Sequence, residues 1–265
     1  MDASISSVTL IGAGNVAWHL GGRLRACGLP VTQVFSRSEQ HARALALHVQ
    51  AQAIDQLEHL SESKDQLFII AVSDNAIAEI AAHSSKFLSK GAFVVHTSGA
   101  TPSSVLAPFF PSSGVFYPLQ TFSKNSALTF DGLPICVYSP DKKRESSLFD
   151  LAMLLSANAR RTTDKERARL HLAAIFVNNF CNYLYHIADD LLKEKELPFE
   201  LLLPLMEGTL AKLKNSRPID VQTGPARRGD TQTIRTHLEA LEQTDYRMLY
   251  ELLSHQIMKL YGHKL

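Results

Sequence analysis

Residues 67–72 are apolar at nearly every position, and shorter runs of the same kind lie at 8–11, 31–35, 93–96, 115–117 and 135–138. Such runs are the pattern of strands buried on both faces. Between them, 39–48, 74–87 and 142–156 carry apolar residues three and four apart, the spacing of helices packed along one side. Briefer strand signals stand at 51–54 and 159–162, and 130–134 reads as turn and loop. Strand alternating with helix predicts a parallel sheet covered on both faces, with 67–72 at its centre. Asp74 or Asn75 is the expected cap of the helix that follows that strand.

From Asp164 onward only helical spacing remains. Residues 165–196 contain neither proline nor glycine and would make a helix roughly 45 Å long. Pro198 precedes a second helix over 199–214, which Pro204 is expected to kink and Gly208 to weaken. Residues 216–229 read as loop; Asp230 caps a helix to about 242, and Asp245 opens the last one. The fold class is therefore α/β: a Rossmann doubly wound, mostly parallel sheet over 1–163, then an all-helical domain over 164–265. So long and apolar a helix suggests a bundle shared between two copies, a homodimer.

Composition narrows the function classes. The 265 residues are 45% hydrophobic, ample for a packed core, and the net charge is +1 with no basic block. Nucleic acid and anionic membrane are therefore poor partners. No apolar stretch reaches the ~20 residues of a membrane span, and the first residues lack the pattern of a signal peptide. Cys27, Cys136 and Cys181, odd in number and widely spaced, read as reduced core residues of a cytoplasmic protein.

The first strand runs directly into Gly12-Ala13-Gly14-Asn15-Val16-Ala17 and then into helical spacing. This is the G-x-G-x-x-G/A dinucleotide fingerprint in its strand–turn–helix setting. Gly12 suits a turn with positive φ, Gly14 leaves room for a pyrophosphate, and Ala17 lets helix and strand approach. The free N–H groups at the helix start favour the phosphates. A glycine-rich turn that binds nothing is the plain alternative. At the end of the second strand, where NAD enzymes carry an acid for the ribose, the chain reads Ser36-Arg37-Ser38. A guanidinium between two hydroxyls suits a 2′-phosphate, hence NADP, unless Arg37 is merely solvated and Ser38 caps the next helix.

Together with the helical second half, these stretches resemble the superfamily of pyrroline-5-carboxylate reductase and deazaflavin-dependent NADP oxidoreductases. Tyr117-Pro118-Leu119-Gln120-Thr121-Phe122, His171-Leu172-Ala173-Ala174 with Asn178, and the run 223–230 (TGPARRGD) resemble one branch more closely. Its members pair a Rossmann-like half with a helical domain of unknown function. Many of them carry His where this chain has Tyr117. The resemblance implies an NADP-linked reductase or dehydrogenase and supplies no substrate.

Hydride chemistry needs an oriented substrate and a proton source. Ligands of doubly wound sheets sit beyond the strand ends, which here carry Val72-Ser73, Thr97-Ser98 and Tyr117. Ser98 and Thr97 suit either ligand contact or turn chemistry. His171 and Asn178 are seven apart, one face of a regular helix. By resemblance His171 is the general-acid candidate and Asn178 orients the substrate, with Asn179 the alternative; a histidine satisfied at an interface is equally in keeping with the sequence. Thr223, Gly224, Arg227, Arg228 and Asp230 precede a helix start, a place for a substrate carboxylate or for a capped loop. Two classes follow: an NADP-dependent oxidoreductase of a small carboxylate-bearing imine, carbonyl or hydroxy acid, or a non-catalytic dinucleotide-binding sensor or scaffold.

Overall fold

The computed structural model describes residues 5–64 and 66–263, and the chain divides into two compact units, one up to Phe176 and one from Val177. The first unit holds one eight-stranded sheet. Its strands are β1 (Ser7–Ile11), β2 (Val31–Phe35), β3 (Gln52–Ile54), β4 (Gln66–Ile70), β5 (Phe93–His96), β6 (Gly114–Pro118), β7 (Ile135–Tyr138) and β8 (Ala159–Arg161). They lie in the order β3-β2-β1-β4-β5-β6-β7-β8. All neighbours are parallel except β6 and β7. Residues 119–134 between those two contain no helix, and a parallel return would require a crossover of that kind.

Helices α1 (Asn15–Ala26), α2 (Glu39–Val49), α3 (Ile77–Ser84) and α4 (Lys142–Leu155) fill the connections, and α5 (Asp164–Ala174) closes the unit. The apolar runs are apolar throughout because both faces of the sheet are covered. In β4, Leu67 and Ile69 enter a core with α1, α2 and α4, while Phe68 and Ile70 enter a second core with α3, Leu106 and Phe110. All four side chains are fully buried, and each contributes about 1.5–3 kcal/mol relative to exposure. The strand expected at the centre is thus the one that joins the two cores.

Several boundaries differ from the sequence reading. Neither Asp74 nor Asn75 caps a helix: Asp74–Ala76 is a 3-10 turn with Ser73 at its N-cap, and α3 begins after it without a side-chain cap. Ser38 does cap α2, accepting a bond from His41 N at 3.4 Å. Cys136 is buried, whereas Cys27 and Cys181 are only half-buried, and among the described residues the three form no disulfide.

In the second unit, residues from Val177 complete a π-helical segment, Ile175–Phe180, and lead into α6 (Cys181–Lys193). No proline or glycine marks this change of winding, so apolar spacing alone predicts one uniform helix. Next come α7 (Leu203–Leu213), the single turns α8 (Pro218–Val221) and α9 (Pro225–Arg228), α10 (Thr231–Ala240) and α11 (Arg247–Leu260). Pro204 does not fall in a helix interior: a 3-10 turn, Phe199–Leu202, precedes α7, and the proline occupies the first turn of α7, where a missing N–H costs nothing. Residues 216–229 are not wholly loop, since α8 and α9 fall within them. Asp230 caps α10, with Oδ1 accepting from Thr233 N at 3.1 Å and Oδ2 from Thr233 Oγ1 at 2.7 Å. Asp245 caps nothing: α11 starts at Arg247 with no side-chain cap. Ala226, Ile234 and Met258 form a small core between α9, α10 and α11. Among the described residues α6 and α7 bury no side chain, and Phe180, Tyr183, Leu205 and Leu210 are each more than half exposed.

Candidate functional site

The order of the sheet reverses at β1, which pairs with β2 on one side and β4 on the other. A crevice opens beyond the carboxyl ends of these strands, the usual ligand position of doubly wound sheets. Gly12 makes the turn that shapes it, with φ +119°. A Cβ at Gly12 would run into the Ala71 carbonyl, so both the dihedral and the space require glycine. The turn is pinned by Gly12 N donating to Phe35 O at 2.8 Å and Ala71 N donating to Ile11 O at 2.8 Å. Gly14 differs: a Cβ there would meet nothing within 4 Å, so no neighbour in the chain demands its smallness. It borders the crevice instead, at the N-terminus of α1, whose first turn carries no acid and no side-chain cap. Ala17 is fully buried, as close packing of helix on strand requires.

The cleft has a volume of about 760 Å³, within the range of cofactor sites. Gly12, Ala13, Gly14, Asn15 and Val16 line one end, Ser36, Arg37 and Ser38 another, and Val72, Ser73 and Thr97 the floor between. Arg37 is exposed on this wall and makes no hydrogen bond or ion pair among the described residues. Ser36 Oγ accepts from Ser38 N at 3.2 Å, tightening the turn that presents the arginine. Four polar lining residues escape sequence reasoning: His41, Glu79, Gln120 and Lys124. Gln120 stands within the motif 117–122 and Lys124 two residues past it, so the motif was the available signal. Lys124 also lies over the Trp18 ring, 5.2 Å from its centroid.

Ser98 does not line this cleft. It is buried, and its hydroxyl accepts from Ala100 N at 3.2 Å and Thr101 N at 2.9 Å while bonding to Thr101 Oγ1 at 2.9 Å. Its role in the structure is to shape the turn after β5. Within that turn Gly99 lies against two residues that sequence reading had treated separately. Tyr117, in β6, places its hydroxyl 3.1 Å from Nδ1 of His171, in α5, with the rings edge to face. A Cβ on Gly99 would stand 2.7 Å from both that Nδ1 and Tyr117 Cζ. Burial, followed by the neighbouring Cys136 thiol, pushes the Tyr117 phenol up to about 12, so it keeps its proton at neutral pH. When it donates to Nδ1, the neutral imidazole holds its own proton on Nε2.

Behind this pair lies a polar cluster that the sequence reading missed. His96 is fully buried at the end of β5, and its Nδ1 accepts from Ser98 N at 3.1 Å. Burial and then the nearby Arg167 push its pKa down to about 4, so it is neutral at physiological pH. Arg167 is buried as well and pairs with Asp164 at 2.7 Å. Burial pushes Asp164 up, but bonds from Arg167 and Ser103 outweigh this and hold it below the usual carboxylate range. The only advance sign was an arginine on a helix face shared with a candidate histidine.

Asn178 lies in the π-helical segment, where a spacing of seven no longer implies the shared face of a regular α-helix. Thr223 borders a cavity of about 390 Å³ with Gly208, Thr209 and Lys212. Arg227 lies over the Tyr261 ring, its carbonyl 3.0 Å from His263 Nε2. Arg227 and Arg228 are exposed, and the Asp230 carboxylate is engaged as the α10 cap. Among the described residues no cluster of three or more His, Cys, Asp or Glu could hold a metal ion.

Residues 1–120 match the Rossmann-like domain family, and residues 133–257 match a domain of unknown function, DUF2520. A crystal structure from Bacteroides fragilis, provisionally assigned as an NADP oxidoreductase, is 36% identical over 98% of this chain and 100% of its own, with a TM-score of 0.90. The chain belongs to the family that joins a Rossmann-like domain to a DUF2520 domain. Two more distant structures show the same fold as this DUF2520 protein. An imine reductase from Myxococcus stipitatus in complex with NADP+ is 12% identical over 97% of this chain and 93% of its own, TM-score 0.66. A pyrroline-5-carboxylate reductase from Coxiella burnetii is 13% identical over 99% and 100%, TM-score 0.61. No curated protein matches the chain.

Proposed function

We propose that this protein is an NADP-dependent oxidoreductase of a small carboxylate-bearing imine, carbonyl compound or hydroxy acid. The observation that carries the reading is the glycine cleft with Arg37 unpaired on its wall. Gly14 supports it, being small where only a ligand would use the space. The backbone N–H groups at the start of α1 would hold the pyrophosphate. Arg37, flanked by Ser36 and Ser38, would hold a 2′-phosphate by charge-assisted bonds. Bound there, the cofactor supplies or accepts the hydride. One distant fold relative, the imine reductase, was solved in complex with NADP+, which is in keeping with this.

Proton handling falls to His171. The hydrogen bond between the Tyr117 hydroxyl and Nδ1 orients the ring, and the protonated imidazole gives its Nε2 proton to the developing nitrogen or oxygen anion, ending as neutral imidazole. Gly99 leaves the backbone of the β5 turn close to both rings. Asn178 is assigned to substrate orientation, and the segment from Thr223 to Asp230 to the carboxylate, with Arg227 and Arg228 as its cations. The exposed apolar side chains of α6 and α7 favour a homodimer through the helical domain.

The test is NADPH oxidation, or NADP+ reduction, against a panel of cyclic imines, keto acids and hydroxy acids. Turnover on at least one class is expected. Tight NADPH binding with no turnover across the panel would make the protein a dinucleotide-binding sensor instead.

A further inference from the structure

Arginine is rarely enclosed, because its permanent charge loses hydration and recovers it only through well-aimed partners. Arg167 is nevertheless 1% exposed and is the largest fully buried side chain among the described residues. Its Nη1 reaches Asp164 Oδ1 at 2.7 Å, and its Nη2 donates to the Thr101 carbonyl at 2.5 Å. Asp164 turns its other oxygen to Ser103, accepting from N at 2.9 Å and Oγ at 2.8 Å. The first turn of α5 therefore grips the segment after β5 at two points. Gly99, in the same segment, is where His171 and Tyr117 close in. Arg167 and His171 are four residues apart on α5 and share a face. The segment cannot slacken freely, since Ser98 ties its own turn together and His96 holds Ser98 N.

We propose that Arg167 is a positioning residue, whose grip on the segment 98–103 sets α5 so that His171 meets Tyr117 over Gly99. This rests on the reading of Tyr117 and His171 as the proton-handling pair. An apolar side chain of similar volume often serves stability as well as a buried ion pair does. Packing alone thus gives no reason for a cation here, whereas two directed bonds between α5 and the turn do.

The experiment uses the full chain labelled with 15N at histidine. His171→Gln identifies the His171 signals, and Tyr117→Phe defines the Nδ1 shift when the phenol bond is lost. Arg167→Met should unfold cooperatively and keep the rise in Tm on adding NADPH, yet move the His171 Nδ1 signal to the Tyr117→Phe value. Arg167→Lys, with charge but no fork, should fall between. Turnover should drop roughly a hundredfold in Arg167→Met, through kcat with nucleotide affinity unchanged. A folded Arg167→Met protein with the unmodified His171 signal overturns the proposal, whatever its turnover. Should Arg167→Met not fold, Ser103→Ala combined with Asp164→Asn loosens the same grip, and an unmoved His171 signal there overturns it equally. Absence of turnover in the unmodified protein would remove the oxidoreductase reading alone, because the histidine signal judges Arg167 separately.

Discussion

Arg37 and Arg167 are one residue type in opposite settings. Arg37 is exposed and unpaired on the cleft wall, so its donors are available to a ligand. Arg167 spends both Nη atoms on the chain itself. Arg37→Ala should therefore weaken NADPH binding by tenfold or more, the loss of about one charge-assisted contact, and leave NADH nearly unchanged. Calorimetric titration with both nucleotides checks this, and equal affinities in the unmodified protein would remove the NADP assignment. At His171 the expectation is a change in kcat. His171→Ala should lower turnover by roughly a hundredfold, as loss of general acid catalysis does, with nucleotide affinity held. Tyr117→Phe should cost less, because the imidazole remains and only the hydrogen bond that orients it is lost. Equal turnover in His171→Ala and unmodified protein would move the proton to Tyr117 or water.

At the scale of elements, β5 ends in a buried titratable group. His96 is neutral in the fold, with a pKa of about 4 set by burial and then by Arg167, against 6.5 when unfolded. The unfolded chain thus binds the extra proton between those values, and stability falls as pH drops from 6.5 to about 4. Above 6.5 both states are neutral at this group and its contribution is constant. Urea midpoints measured across that window should decline more steeply for the unmodified protein than for His96→Gln. Parallel declines would mean that His96 is not the proton acceptor. Helix α5 illustrates a different point. Its capping box, Thr163 with Glu166, has a T-x-x-E spacing that the sequence reading passed over, and it starts the helix where Asp164 and Arg167 can reach the β5 turn. The π-helical winding at Ile175–Phe180 is not legible, because no breaker residue announces it.

At the scale of the whole molecule, the second unit exposes a series of large apolar side chains, the kind of surface that marks an interaction site. Leu201, Leu205, Leu210, Met248 and Leu252 are each more than half exposed. Helices α6 and α7 bury none of their own side chains among the described residues, despite apolar spacing suited to packing. A second copy is the proposed cover. Light scattering at micromolar concentration should give twice the mass of the 29.3 kDa chain, and Leu205→Glu with Leu210→Glu should halve it. A monomer in the unmodified protein would remove this proposal. Among the described residues no helix is long and apolar enough to cross a membrane.

Much of the first unit could be read from the chain because its signals are local. A buried strand must be apolar on both faces, and a phosphate-binding turn must place glycine where φ is positive, so residues 67–72 and 12–17 declare themselves. The helix-only pattern after Asp164 is local in the same sense. What the sequence could not supply is proximity between distant residues. Tyr117 and His171 are 54 positions apart, and only the register of β6 and the placement of α5 bring them to 3.1 Å. Gly99 showed no turn dihedral to betray it; its smallness matters only once two rings from elsewhere close on it. Arg167 read as one more charge on a helix until folding enclosed it, since burial belongs to the packed chain rather than to any residue in it.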